Sequence, residues 1–131
     1  MAPLSANSLA KMVGGWADNL LLSVIRAWDT RGDVGGGRKR VVVALAMNTG
    51  MWMHPVTGGQ VRVLEEEWGW ERGGWVEVLR PVEKELACED VGGGGMREWG
   101  DIVGVIEERL GLVGEGERKG KGERKGEGKG G

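Results

Sequence analysis

The side chains best able to do chemistry are scarce: Cys88 is the only cysteine and His54 the only histidine in 131 residues. A thiolate activated by an imidazole is a nucleophilic pair, with Glu89 or Asp90 as the group that would orient the ring. Only the fold can bring Cys88 to His54, because nothing in their spacing requires it. A structural thiol and a turn histidine ahead of Pro55 are the simpler assignments. A metal site resting on one histidine and scattered carboxylates has no specific pattern behind it.

Carboxylates are more abundant, in Glu65-Glu66-Glu67 and at Glu83, Glu85, Glu89 and Asp90. Paired carboxylates do acid–base work, but in a strand only Glu65 and Glu67 would share a face, and solvated charge is the expected role. Lys121 and Lys129 follow glycines, yet Glu115 and Glu123 stand where a phosphate-binding loop needs its first glycine. Arg31-Gly32-Asp33 looks like an adhesion tripeptide, but three common residues in a turn match easily and no export signal precedes them. No catalytic, cofactor-binding or metal-ligating residue is assigned, and no cofactor is implied.

Tryptophan is the remaining chemistry. Val61 to Trp70 and Trp75 to Arg80 alternate around Glu71-Arg72-Gly73-Gly74, the pattern of a β-hairpin with a four-residue loop. If Trp70 faces Trp75, then Trp68, Trp70 and Trp75 lie on one face, and Arg80 falls opposite Glu65 on the other. Such a face could stack on a base, a sugar or a proline-rich peptide. With so few large apolar residues elsewhere, packing as a small core is favoured over a ligand face.

The elements that would carry these residues follow from periodicity. Leu9, Met12, Val13, Trp16, Leu20, Leu21, Val24 and Trp28 fall at helical spacing, with Ser5 or Ser8 as cap and Gly14-Gly15 as the place where the helix splits. Gly-rich residues 32–37 connect it to a β-branched run, Arg40 to Met47, read as a buried strand. Met51 to Met53 could return as a short strand ended by His54-Pro55. Pro81 opens a short helix through Val82, Leu86 and Ala87, stopped by the glycines at 92–95. Trp99, Ile102, Val103, Ile106, Leu110 and Val113 fall at the spacing of a second amphipathic helix, with Gly111 as terminator.

The expected fold class is therefore a small, loosely packed α+β unit over residues 1–113, with a Trp-containing hairpin and two amphipathic helices. Residues 114–131 contain only Gly, Glu, Lys and Arg, and such a segment has nothing to bury and is expected to be disordered. The net charge of −2 divides into about −4 over 1–113 and about +2 in the tail, too little to pull strongly on nucleic acid or anionic lipid. One cysteine excludes a disulfide framework, and neither a signal peptide nor an apolar run long enough for a membrane is present. A soluble chain in the cytoplasm or nucleus is expected.

Composition adds a warning: 27 glycines and seven tryptophans stand beside no phenylalanine and no tyrosine. That set matches G-rich codons better than it matches the needs of a core. The leading expectation is a non-enzymatic soluble chain, in the limit a young or spurious reading frame. The alternatives are a protein-interaction module presenting the Trp hairpin, and a weak RNA or single-stranded nucleic-acid binder using the tail and the tryptophans.

Overall fold

The computed structural model describes residues 1–85 and 91–112. Helix α1 (Ala6–Val13) starts where the Ser5 hydroxyl accepts a hydrogen bond from the Ser8 N–H, and it buries Leu9 and Met12. It stops at Gly14 and Gly15, the latter at φ +75°, and α2 (Leu20–Arg26) begins afresh under an Asn19 cap, burying Leu22 and Ile25. The long helical pattern is thus two helices, divided at the expected glycine pair.

Strand β1 (Val41–Ala44) sits at the centre of a parallel arrangement. On one side it pairs with β2 (Val76–Leu79), in the register Val41 with Val76 and Val43 with Val78. On the other side the extended N-terminal segment runs parallel to it, through a bridge between Leu4 and Leu45. Both faces of β1 are covered, which explains its unbroken apolar run. Val41, Val43 and Leu45 pack with Leu9, Met12, Leu22, Ile25, Val61 and Leu64 on the α1 and α2 side. Ala44 packs with Leu79 and Ile102 on the other, with Val42 against them.

Helix α5 (Trp99–Leu110) supplies that second layer and ends at Gly111, φ +68°, as its spacing predicts. An ion-pair clasp ties it down: Glu77 on β2 receives Arg109 from α5 at 2.9 Å and Arg40, just before β1, also at 2.9 Å. The two guanidinium groups hold the Glu77 carboxyl below its ordinary value, the hydrogen bond from Arg109 being the larger cause.

Four local expectations are corrected. The Val61–Arg80 hairpin does not form: α4 (Pro55–Arg62) runs through a π-helical turn at Val63–Glu67, and only β2 is a strand. Val61, Leu64 and Trp68 also satisfy a three-and-four spacing, and the helical choice buries Val61 and Leu64 while β2 finds its ladder on β1. The strand expected at Met51–Met53 is helix α3 (Thr49–Met53), started by the Asn48 side chain accepting the Met51 N–H. The helix expected after Pro81 is strand β3 (Val82–Glu85), paired antiparallel with β4 (Val91–Gly95). The glycines at 92–95 therefore belong to a strand; glycine keeps both backbone groups that a ladder uses. Val113, the whole expected tail at 114–131, and Leu86, Ala87, Cys88, Glu89 and Asp90 lie outside the described residues. Among the described residues no helix is long and apolar enough to cross a membrane.

Candidate functional site

In open parallel sheets, ligands gather beyond the carboxyl ends of the strands, because there the chain turns into helix N-termini. Here Leu4 leads directly into the Ser5 cap of α1, and β1 leads through Leu45 to Met47 into the Asn48 cap of α3. Between these two helix starts lies an open groove of about 470 Å³. Ala6 and Ala10 of α1 form one wall; Gly50 and Met51 of α3 and Val56 of α4 form the other. The polar groups on its lining are Asn48, His54, Thr57 and Gln60.

Three of these groups, Asn48, His54 and Thr57, are oriented by local bonds. The Asn48 Oδ1 accepts the Met51 N–H at 2.9 Å, so its amide NH2 is left as a donor. The His54 Nδ1 accepts the Val56 N–H at 3.2 Å, which caps α4 and, in the neutral ring, places the proton on Nε2. The Thr57 hydroxyl is spent on the Met51 carbonyl, which locks α3 to α4. The first-turn N–H groups of α1 have no intrahelical partner. The groove thus combines an apolar floor with neutral hydrogen-bond donors, and among the described residues no lysine or arginine lines it.

The residues singled out from sequence are scattered. His54 is in the groove; Cys88 lies outside the described residues. Trp68 and Trp75 do meet, with ring centroids 5.3 Å apart, but at the amino ends of the strands. Trp70 points elsewhere, between the Arg38 and Arg40 guanidinium groups at 4.2 and 4.1 Å. The three tryptophans therefore do not form the single face expected of them, because Trp68 follows a π-helical turn, Trp70 opens a 3-10 turn and Trp75 lies in the loop before β2, instead of on two paired strands. Glu65 and Arg80 do pair, at 2.6 Å, as a contact between that helical turn and the end of β2. Arg31 and Asp33 close on one another at 3.1 Å. Sequence reasoning passed over Asn48 and Gln60; Asn48 was available as a helix cap, a role asparagine favours, but its Thr-Gly neighbours read as a strand boundary.

A family model described as Flavoprotein matches residues 1–111. Coenzyme A biosynthesis protein 3 of Saccharomyces cerevisiae is 43% identical over 110 residues, covering 84% of this chain and 17% of the yeast protein. A probable phosphopantothenoylcysteine decarboxylase of Arabidopsis thaliana is 45% identical over 98 residues, covering 75% of this chain and 42% of its own length. Two solved structures share the fold with a TM-score of 0.64 each. One is a cysteine-to-serine mutant of PPC decarboxylase complexed with pantothenoylaminoethenethiol, 38% identical, covering 84% of this chain and 53% of that one. The other is the FMN binding protein AtHal3, 37% identical, with coverages of 86% and 54%. The chain spans about half the length of these structures and less of the curated relatives.

These likenesses overturn the expectation of a non-enzymatic chain or a spurious frame, since decarboxylases are enzymes. They equally displace the Trp-hairpin interaction module and the nucleic-acid binder as the main reading. Glycine and tryptophan richness was a poor guide because base composition can bias residue choice without erasing a fold.

Proposed function

Since the chain belongs to the flavoprotein family, we propose that the groove at the carboxyl ends of its strands holds an FMN ring and serves decarboxylation of a phosphopantothenoylcysteine-like substrate. The observation that carries this reading is the groove's chemistry: an apolar floor edged by neutral donors, with no cation among the described residues of its lining. A flavin ring is flat, largely apolar on its faces and hydrogen-bonding at its edges, and it fits that set. Met51, Val56, Ala6 and Ala10 would contact the ring faces, while Asn48, His54 and Gln60 would meet its edge. The Ala6 and Asn7 N–H groups at the start of α1, ahead of the Ser8 N–H that Ser5 caps, suit the oxygens of a phosphate. When bound, a flavin supplies reversible hydride acceptance.

The neutral character of the polar groups Asn48, His54, Thr57 and Gln60 on the lining also bears on the substrate. A carboxylate about to leave as carbon dioxide loses its charge, so neutral donors position it without the ion pair that would hold the ground state back. Asn48 and His54 are the side chains able to do this. Cys88 is the only thiol in the chain, and it is the position to test against the cysteine mutated in the similar decarboxylase.

The test is titration of the full chain with FMN, followed by flavin fluorescence, and by release of carbon dioxide from phosphopantothenoylcysteine. Quenched, saturable flavin that resists dialysis is expected. Flavin that stays fully fluorescent and dialysable at high micromolar chain would overturn the proposal.

A further inference from the structure

At the amino ends of the same strands, opposite the groove, a second cavity of about 240 Å³ opens to solvent. Three indoles line it: Trp68 and Trp75, tilted 32° to one another, and Trp16 from the loop after α1. Met12 closes the floor. This end of the fold is built differently from the groove, since its walls are large aromatic side chains and not helix starts.

Among the described residues the only charged side chain on the lining is Arg26, at the last turn of α2. It makes no ion pair among the described residues, whereas the neighbouring cation Lys11 is neutralised by Asp18 at 2.5 Å. Thr30, also on the lining, contributes a hydroxyl without a hydrogen-bond partner among the described residues. An apolar, aromatic cavity with one uncompensated guanidinium and one free hydroxyl has the make-up of a small-molecule site: broad apolar walls with a few polar groups to fix orientation. The volume takes one aromatic ring with a short side chain, and a guanidinium at the mouth selects a planar anion by paired N–H donors.

We propose that this cavity binds a small aromatic carboxylate, its ring against Trp68 and Trp75 and its carboxylate on Arg26, with Thr30 as a second donor. The site is separate from the flavin groove and does not depend on the reading of it. Phenylacetate and its neutral isostere phenylacetamide are the probes, titrated against the full chain while indole fluorescence excited at 295 nm is followed. Saturable quenching by phenylacetate is expected, with affinity roughly tenfold above that for phenylacetamide, the size a charged hydrogen bond carries. Arg26→Gln should erase that preference while leaving the phenylacetamide affinity unchanged, and Arg26→Lys should restore part of it. Because Arg26 is exposed, these variants should keep the wild-type circular dichroism. Absence of saturable quenching, equal binding of both probes, or a preference that survives in Arg26→Gln would each overturn the proposal.

Discussion

The two ends of the parallel sheet solve opposite problems. At the carboxyl ends the chain passes at once from strand to helix, so Ser5 and Asn48 act as caps and neutral donors converge on a shallow groove. At the amino ends the chain arrives from helices through longer connections, and indoles fill the space. The first end is made by backbone geometry and tolerates small side chains, whereas the second is made by side-chain bulk and demands that the backbone give way. Glycines mark the difference. A Cβ at Gly74 would lie 2.1 Å from the Trp68 carbonyl oxygen, and at Gly69 2.0 Å from that of Glu65. Gly58 and Gly59 in α4, by contrast, have open space around them.

The sharpest way to break this contrast is Gly74→Ala. The Trp68 carbonyl cannot retreat, because it accepts the N–H groups of both Trp75 and Val76, at 2.8 and 2.9 Å. A loss of about 3 kcal/mol or more is expected, read as a fall in the urea midpoint together with loss of the Trp68–Trp75 contribution to near-ultraviolet circular dichroism. An unchanged midpoint would show that the amino end is not glycine-constrained.

At the carboxyl end Asn48 separates cap from donor. Asn48→Ala should cost about 1 kcal/mol of stability through the lost cap and weaken FMN binding. Asn48→Asp keeps an oxygen for the Met51 N–H and should retain the stability, yet lacks the NH2 donor and should still bind FMN roughly tenfold more weakly. If Asn48→Asp binds FMN like the parent, the amide donor has no part in the site.

Between the two ends, the Glu77 clasp should tie stability to pH. Its carboxyl titrates below the ordinary 4.5 when folded, so its contribution is complete above that value and is lost as pH falls through the depressed one. Urea midpoints of wild type and Glu77→Gln should therefore differ at pH 7 and converge toward pH 3. A gap that is constant with pH would mean the clasp does not act through ionisation. The smallest effect is expected at Gly58→Ala, which should stabilise α4 by roughly 0.5–1 kcal/mol; destabilisation there would contradict the open surroundings.

Helical spacing in the sequence was enough to locate α1, the break at Gly14-Gly15, α2 and α5 with its Gly111 stop, and the valine run was enough for β1. Such signals are local, and they place a helix without fixing its buried face: in α2 Leu22 and Ile25 are buried, whereas Leu20, Leu21 and Val24 of the expected stripe are exposed. The segment from Val61 to Arg80 misled for the same reason: its residues fit alternation and helical spacing alike, and the decision rested on β2 finding β1 as a parallel partner. The groove was illegible in sequence because its polar residues are ordinary ones, given a role by the caps that orient them. Composition, β1, α1, α2 and α5 were determined by the sequence itself through local periodicity. The pairing of β1 with β2, the separation of Trp70 from Trp68 and Trp75, and the groove between Ser5 and Asn48 were decided only by tertiary structure, since parallel pairing joins residues whose neighbours along the chain carry no trace of the contact.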